Sequence, residues 1–236
     1  MATHPAAIPA HTFTPAPRIH HALTASAEQR ILHWLAQRVP AVITSDHLTL
    51  LGFSAQLAAG LFYALSSYNR LILLGVIFCL ILNWLGDSLD GTLARVRNQQ
   101  RPRYGFYVDH IADIFGSLAL MCGLAFSGFL HWPVAIAMLI GFLLLAAESF
   151  LATYTLGSFH LSAGIFGPTE IRLLLIAGNI SLLHSPYANL FGCRLLLFDL
   201  GGFIAAFCMI VTVILLAHRH TAALYHQEPL PNASAS

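Results

Sequence analysis

The chain has 236 residues, of which 57% are hydrophobic and 9% charged, and its formal net charge at pH 7 is +1. With a mean hydropathy of +0.73, this composition excludes an ordinary soluble domain and a disordered chain and identifies an integral membrane protein. The near-neutral balance gives no reason to expect a nucleic-acid partner, and a local excess of arginine is explained by membrane lipids or phosphate groups.

Residues 1–23, rich in Ala, Pro, His and Thr and without the basic-then-apolar layout of a signal peptide, read as a disordered cytoplasmic tail. Residues 24–40 follow as an amphipathic helix lying on the membrane, with Ile31, Leu32, Leu35 and Val39 at helical spacing, Ser26 as a candidate cap and Pro40 as its end. A membrane domain is expected over 41–220, an all-α bundle of six transmembrane helices, because runs near the roughly 20 apolar residues needed to cross the hydrocarbon recur along it. They fall at Leu48–Ser67, Leu71–Val96, Tyr107–Phe129, Pro133–Leu156, Ile171–His184 and Phe198–Ala217. The fifth is short, and it either stops near Pro186 or continues toward Phe191. Residues 221–236 read as a cytoplasmic tail.

Arg95, Arg97, Arg101 and Arg103 crowd the connection after the second span, which the positive-inside rule places in the cytoplasm, at the inner membrane if the source is bacterial. Cys79, Cys122, Cys193 and Cys208 show no CxxC spacing and read as packing residues.

The chemistry concentrates in one segment, Asp87-x2-Asp90-Gly91-x2-Ala94-Arg95-x9-Gly105-x3-Asp109-x3-Asp113. At about 100° per residue, Asp87, Asp90, Gly91 and Ala94 share one face at the end of the second span, and Asp109 and Asp113 share a face on the first turns of the third. Two antiparallel helices joined by a short loop bring these pairs together. Carboxylates are costly at membrane depth unless they meet cations, each other or water. As hard oxygen donors, four of them suit two Mg²⁺ or Mn²⁺ ions, the arrangement that favours displacement at phosphorus.

This pattern resembles the signature of the CDP-alcohol phosphotransferases, six-helix membrane enzymes of phospholipid synthesis. The resemblance implies transfer of a substituted phosphate from a CDP-linked donor to a lipid or polar alcohol with release of CMP, and it suggests a homodimer. It implies that Asp87, Asp90 and Asp109 hold metal, that Asp113 touches the second metal or acts as base, and that Gly91, Ala94 and Arg95 line the CDP pocket. A second match, Ile43-Thr44-Ser45-Asp46-His47-Leu48-Thr49, is similar to the family's Thr-Pro-Asn-x-Leu-Thr segment and adds Thr49 to that pocket, although Ser45 and Asp46 replace the Pro and Asn. Ordinary helix capping is the other reading of this segment.

His110 beside Asp109, and Phe166-Gly167-Pro168-Thr169-Glu170 at the start of the fifth span, resemble the choline and ethanolamine phosphotransferase branch. By that resemblance Glu170 orients His110, which takes the acceptor's proton, and the leaning is toward a CDP-aminoalcohol donor and a diradylglycerol acceptor. The alternative is a CDP-diacylglycerol donor with a small polar alcohol and Asp113 as base. Arg172 reads either as a phosphate or acceptor contact or as an interfacial anchor. Glu148 lies outside the expected site, and the His20-His21 and His218-x-His220 steps read as solvated termini. Two distant readings remain: a prenyltransferase, through Asn83-x3-Asp87 with Asp109-x3-Asp113, and an ion transporter, whose site would lie nearer the midplane.

Overall fold

The computed structural model describes residues 25–156, 168–190 and 192–228. The expected tail at 1–23, His20-His21, Phe166-Gly167 and residues 229–236 lie outside them. Seven α-helices follow in order: α1 (Ala25–Ala36), α2 (Ser45–Leu65), α3 (Leu73–Val96, preceded by a 3-10 turn at Arg70–Ile72), α4 (Pro102–Phe126), α5 (Trp132–Leu156), α6 (Pro168–His184) and α7 (Leu197–Gln227). Five of these, α2 to α5 and α7, are long and apolar enough to cross a membrane. The expected fifth span is α6, whose 17 residues sit at the lower limit for a span, since at about 1.5 Å per residue they rise only about 25 Å.

Helix α6 stops two residues before Pro186, which lacks a backbone N–H, and the chain turns into an antiparallel hairpin, β1 (Tyr187–Leu190) and β2 (Cys193–Leu196). The hairpin turns at Gly192, whose φ of 82° lies in the left-handed region. Helix α7 runs ten residues past the expected span end at Ala217, from 217 to 227, so much of the expected tail is helix. Helix α4 starts earlier than expected, at Pro102, whose fixed φ and missing N–H suit a first turn. Asp109 and Asp113 therefore stand about two and three turns in from its start.

Helix α2 is the centre of the bundle. Both α3 and α4 pack chiefly on α2 rather than on each other, which corrects the expected direct pairing of α3 with α4. Small residues allow it: a Cβ on Gly86 would lie 2.6 Å from the Gly52 nitrogen, and one on Gly123 would lie 1.9 Å from the Gly60 carbonyl oxygen. Buried Tyr63, Leu73, Val76, Leu80, Leu120 and Leu124 pack into one core at this centre. Helices α5 and α7 pack on each other at the flank and leave Ile136, Ile140, Phe203, Phe207 and Ile214 facing outward, as a lipid-facing surface requires.

The apolar stripe of α1 has a different partner from the one expected. Leu32 and Ala36 are buried against Leu48, Leu89 and Leu93, with Leu35 and Val39 beside them, so the stripe docks on α2 and α3 while Ile31 and Trp34 stay exposed. The described part of the helix runs from Ala25 to Ala36. Arg97 pins the link from α1 to α2 by donating from Nη1 to the Ile43 carbonyl at 2.6 Å and from Nη2 to the Val39 and Pro40 carbonyls at 2.8 and 3.0 Å.

Candidate active site

Thr44 starts α2 with a capping box: its hydroxyl accepts from the His47 N–H at 3.4 Å, and its own N–H donates to His47 Nδ1 at 3.2 Å. The capping reading of this segment thus holds at Thr44. Asp46, one position into the helix, pairs with Arg101 from the connection before α4. That bond pushes the Arg101 guanidinium further above its ordinary value. Thr49, one turn further, reaches the α3 aspartates by donating its hydroxyl to Asp90 Oδ2 at 2.5 Å, while Asp90 Oδ1 accepts the Gly91 N–H, also at 2.5 Å.

Between α2, α3 and α4 lies a narrow cleft, lined by Thr49, Gln56, Asn83, Asp87, Asp109 and Asp113 among others. The carboxylates of α3 and α4 meet across the first turns of α2, because the glycine contacts draw both helices onto it. Asp90 is buried beside the cleft, Gly91 and Ala94 are half-buried, and Arg95 is exposed with its Nη2 donating to the Thr92 hydroxyl at 3.0 Å. A Cβ on Gly91 would meet only Arg95 Nη1, at 3.7 Å, so its face is open to a ligand.

Arg172 of α6 supplies a cation to this cluster. Its Nη2 donates to Asp87 Oδ2 at 2.6 Å and its Nε to Asn83 Oδ1 at 2.8 Å. With side-chain exposures of 13% for Arg172 and 29% for Asp87, water screens the pair poorly. Asn83 in turn donates Nδ2 to the Gly52 carbonyl at 3.0 Å. Asn83 and Gln56 were not among the expected site residues; the available signal was an amide four residues before Asp87, in a span that otherwise has none.

Among the described residues no three His, Cys, Asp or Glu side chains stand close enough to hold one ion in this arrangement. Arg172 draws Asp87 toward α6, Thr49 and the Gly91 amide hold Asp90, and like charges repel. The donor set nevertheless fits a divalent cation. Asp87, Asp109 and Asp113 open on one cleft with amide oxygens beside them, and a guanidinium already occupies a charge-compensating position.

His110 turns toward α5 instead of the cleft. Its ring lies 4.1 Å from Phe106 and 5.0 Å, edge to face, from Phe150, measured between centroids. Nδ1 lies 2.6 Å from the Phe106 carbonyl oxygen, and because a carbonyl only accepts, Nδ1 is the donor of that bond. Glu170 is buried in the first turn of α6. Glu148 bonds His220 Nδ1 at 2.5 Å, tying α5 to α7. His220 is thus not a residue of a solvated tail, because α7 continues past it.

The family model described as CDP-alcohol phosphatidyltransferase matches residues 42–217. No individually curated protein matches the chain. Among solved structures, phosphatidylinositol phosphate synthase of Mycobacterium tuberculosis, determined with CDP-DAG bound, is similar in fold. Its TM-score is 0.61 at 20% identity, over 81% of this chain and 94% of that one.

Proposed function

The chain belongs to the CDP-alcohol phosphatidyltransferase family, and from that premise we propose that it transfers a substituted phosphate from a CDP-linked alcohol to a hydroxyl acceptor, releasing CMP. The observation that carries this reading is the convergence of Asp87, Asp109 and Asp113 on one cleft, with Asp90 held beside it by Thr49. These four aspartates would hold two Mg²⁺ or Mn²⁺ ions, which when bound supply charge neutralisation at the diphosphate oxygens. Gly91 and Ala94 leave room for the nucleotide along α3, and Arg95 and Arg172 offer guanidinium donors to phosphate oxygens. The acceptor oxygen attacks the phosphorus bearing the substituent. The bond from that phosphorus to the CMP oxygen breaks, its electron pair leaves with CMP, and the hydroxyl proton passes to a base. Asp113, which lines the cleft, would be that base, a reading its position beside the other aspartates supports.

For the donor, the reading we favour is CDP-diacylglycerol with a small polar alcohol as acceptor, supported by a structural neighbour that holds CDP-DAG. This replaces the leaning toward a CDP-aminoalcohol. The aminoalcohol reading rests on the Asp109-His110 and Thr169-Glu170 steps of the sequence. The arginine connection argues for a site at the cytoplasmic face, and the family resemblance argues for a homodimer.

A donor panel separates the two. Purified protein given Mg²⁺ and CDP-diacylglycerol, CDP-choline or CDP-ethanolamine, each with matched acceptors, is expected to release CMP with the first and to stay at background with the others. In that case His110→Ala keeps turnover within about threefold. CMP release only from the aminoalcohol donors, with His110→Ala lower by about a hundredfold or more as for loss of a general base, reverses the assignment.

A further inference from the structure

Three side chains from two helices converge on one oxygen of α1. Glu28 Oε1 accepts from Trp84 Nε1 at 2.9 Å, from the Ser88 hydroxyl at 3.1 Å and from the Thr169 hydroxyl at 3.0 Å. Trp84 and Ser88 are four apart and share a face of α3, and Thr169 stands in the first turn of α6. All three donors thus share a single carboxyl oxygen.

The positions of the donors give the junction its significance. Ser88 follows Asp87, and Thr169 precedes Glu170 and lies three residues before Arg172, which grips Asp87 and Asn83. The same turn of α6 is thus tied to α3 directly through Arg172 and indirectly through Glu28. Helix α1 is itself seated on α3 by Leu32 and Ala36, one and two turns beyond Glu28. It is fixed where its carboxylate can reach past α3 to α6. An apolar side chain at position 28 could seat the helix but could not satisfy three donors from two other elements, so the carboxylate selects one arrangement of the three helices.

We propose that Glu28 is a positioning residue: it straps the first turn of α6 to the aspartate end of α3 and so sets where Arg172 and Glu170 stand relative to Asp87. Its effect on turnover rests on the transferase reading above; the junction itself does not.

The test uses the full chain in detergent or nanodiscs with Glu28→Gln, Glu28→Ala, Thr169→Val and the Glu28→Ala/Thr169→Val double variant. Glu28→Ala is expected to lower kcat about tenfold, within the roughly hundredfold loss that a misplacement of about 1 Å can cause, while the donor KM stays within about twofold. Glu28→Gln, which retains an acceptor oxygen, recovers most of the loss. The double variant falls no further than Glu28→Ala, because both single changes break one tether. Independently of turnover, in a Trp34→Phe/Trp132→Phe background Glu28→Ala makes the Trp84 emission clearly more quenchable by acrylamide. Additive losses in the double variant, or Trp84 quenching unchanged by Glu28→Ala, overturn the strap. Absence of CMP release from the wild type with every donor would count against the transferase reading alone, since the Trp84 arm still decides the junction.

Discussion

Asp109→Asn and Asp113→Asn are each expected to lower CMP release by a factor of about 10² to 10³ or more, the scale seen when one charged or polar group is lost from a preorganised transition-state site. Neither change removes volume. The two carboxylates share one face of α4 and open on the cleft with Asp87, and neutralising Asp113 relieves repulsion between anions held away from bulk water. In Asp113→Asn thermal stability should therefore hold or rise while turnover collapses. Asp87→Ala behaves differently. It abolishes turnover as well, but it also leaves the Arg172 guanidinium, 13% exposed, without its carboxylate, and stripping one partner from a buried pair costs about 3–5 kcal/mol. The contrast separates groups held for chemistry from a group that also holds the fold. Near-normal turnover in Asp113→Asn at matched metal occupancy would refute the assignment of that carboxylate.

Gly123→Val is expected to be the most damaging single change to the fold. The Gly123 Cβ would stand 1.9 Å from the Gly60 carbonyl oxygen, and a Cβ on Gly60 would stand 2.4 Å from the Ala119 carbonyl oxygen. These neighbours are backbone atoms and cannot rotate away, so α2 and α4 must separate. Overpacking of this kind costs about 1–3 kcal/mol for added methylenes and more where backbone blocks the way. In a membrane the crossing is held by close packing, without a hydrophobic driving force to replace it. Since α2 carries Thr49 and Gln56 and α4 carries Asp109 and Asp113, separation also opens the cleft. The expected result is a sharp loss of folded yield and thermal midpoint. Gly201→Ala, where a Cβ would meet nothing within 4 Å, should be neutral or slightly stabilising, because glycine costs about 0.5–1 kcal/mol relative to alanine inside a helix. Equal behaviour of the two variants would remove the close crossing from the account.

The helices were legible because unbroken apolar runs of span length have few other readings, and the aspartate segment was legible because its spacing puts each pair on one helix face. What sequence periodicity does not carry is the identity of the partner. The stripe Leu32-Leu35-Ala36-Val39 fits a membrane surface and a protein groove equally well, and the choice was made by Leu48, Leu89 and Leu93, residues distant in sequence. The placement of α2 between α3 and α4 depends on Gly52 meeting Gly86 and Gly60 meeting Gly123, contacts with no local signature. Arg172 was recognisable as a cation near the site, but its grip on Asp87 and Asn83 depends on how α6 lies along α3. Glu28 looked like part of the polar face of an interfacial helix until Trp84, Ser88 and Thr169 were seen to converge on it.

The central claim, a divalent-metal site that cleaves a CDP-linked donor, is tested most directly by CMP release from the purified wild-type protein as metal is removed and restored. With CDP-diacylglycerol and a polar acceptor, turnover is expected to fall to background in excess EDTA and to return when Mg²⁺ or Mn²⁺ is added beyond the chelator. CMP release that persists at full rate in EDTA would contradict the claim.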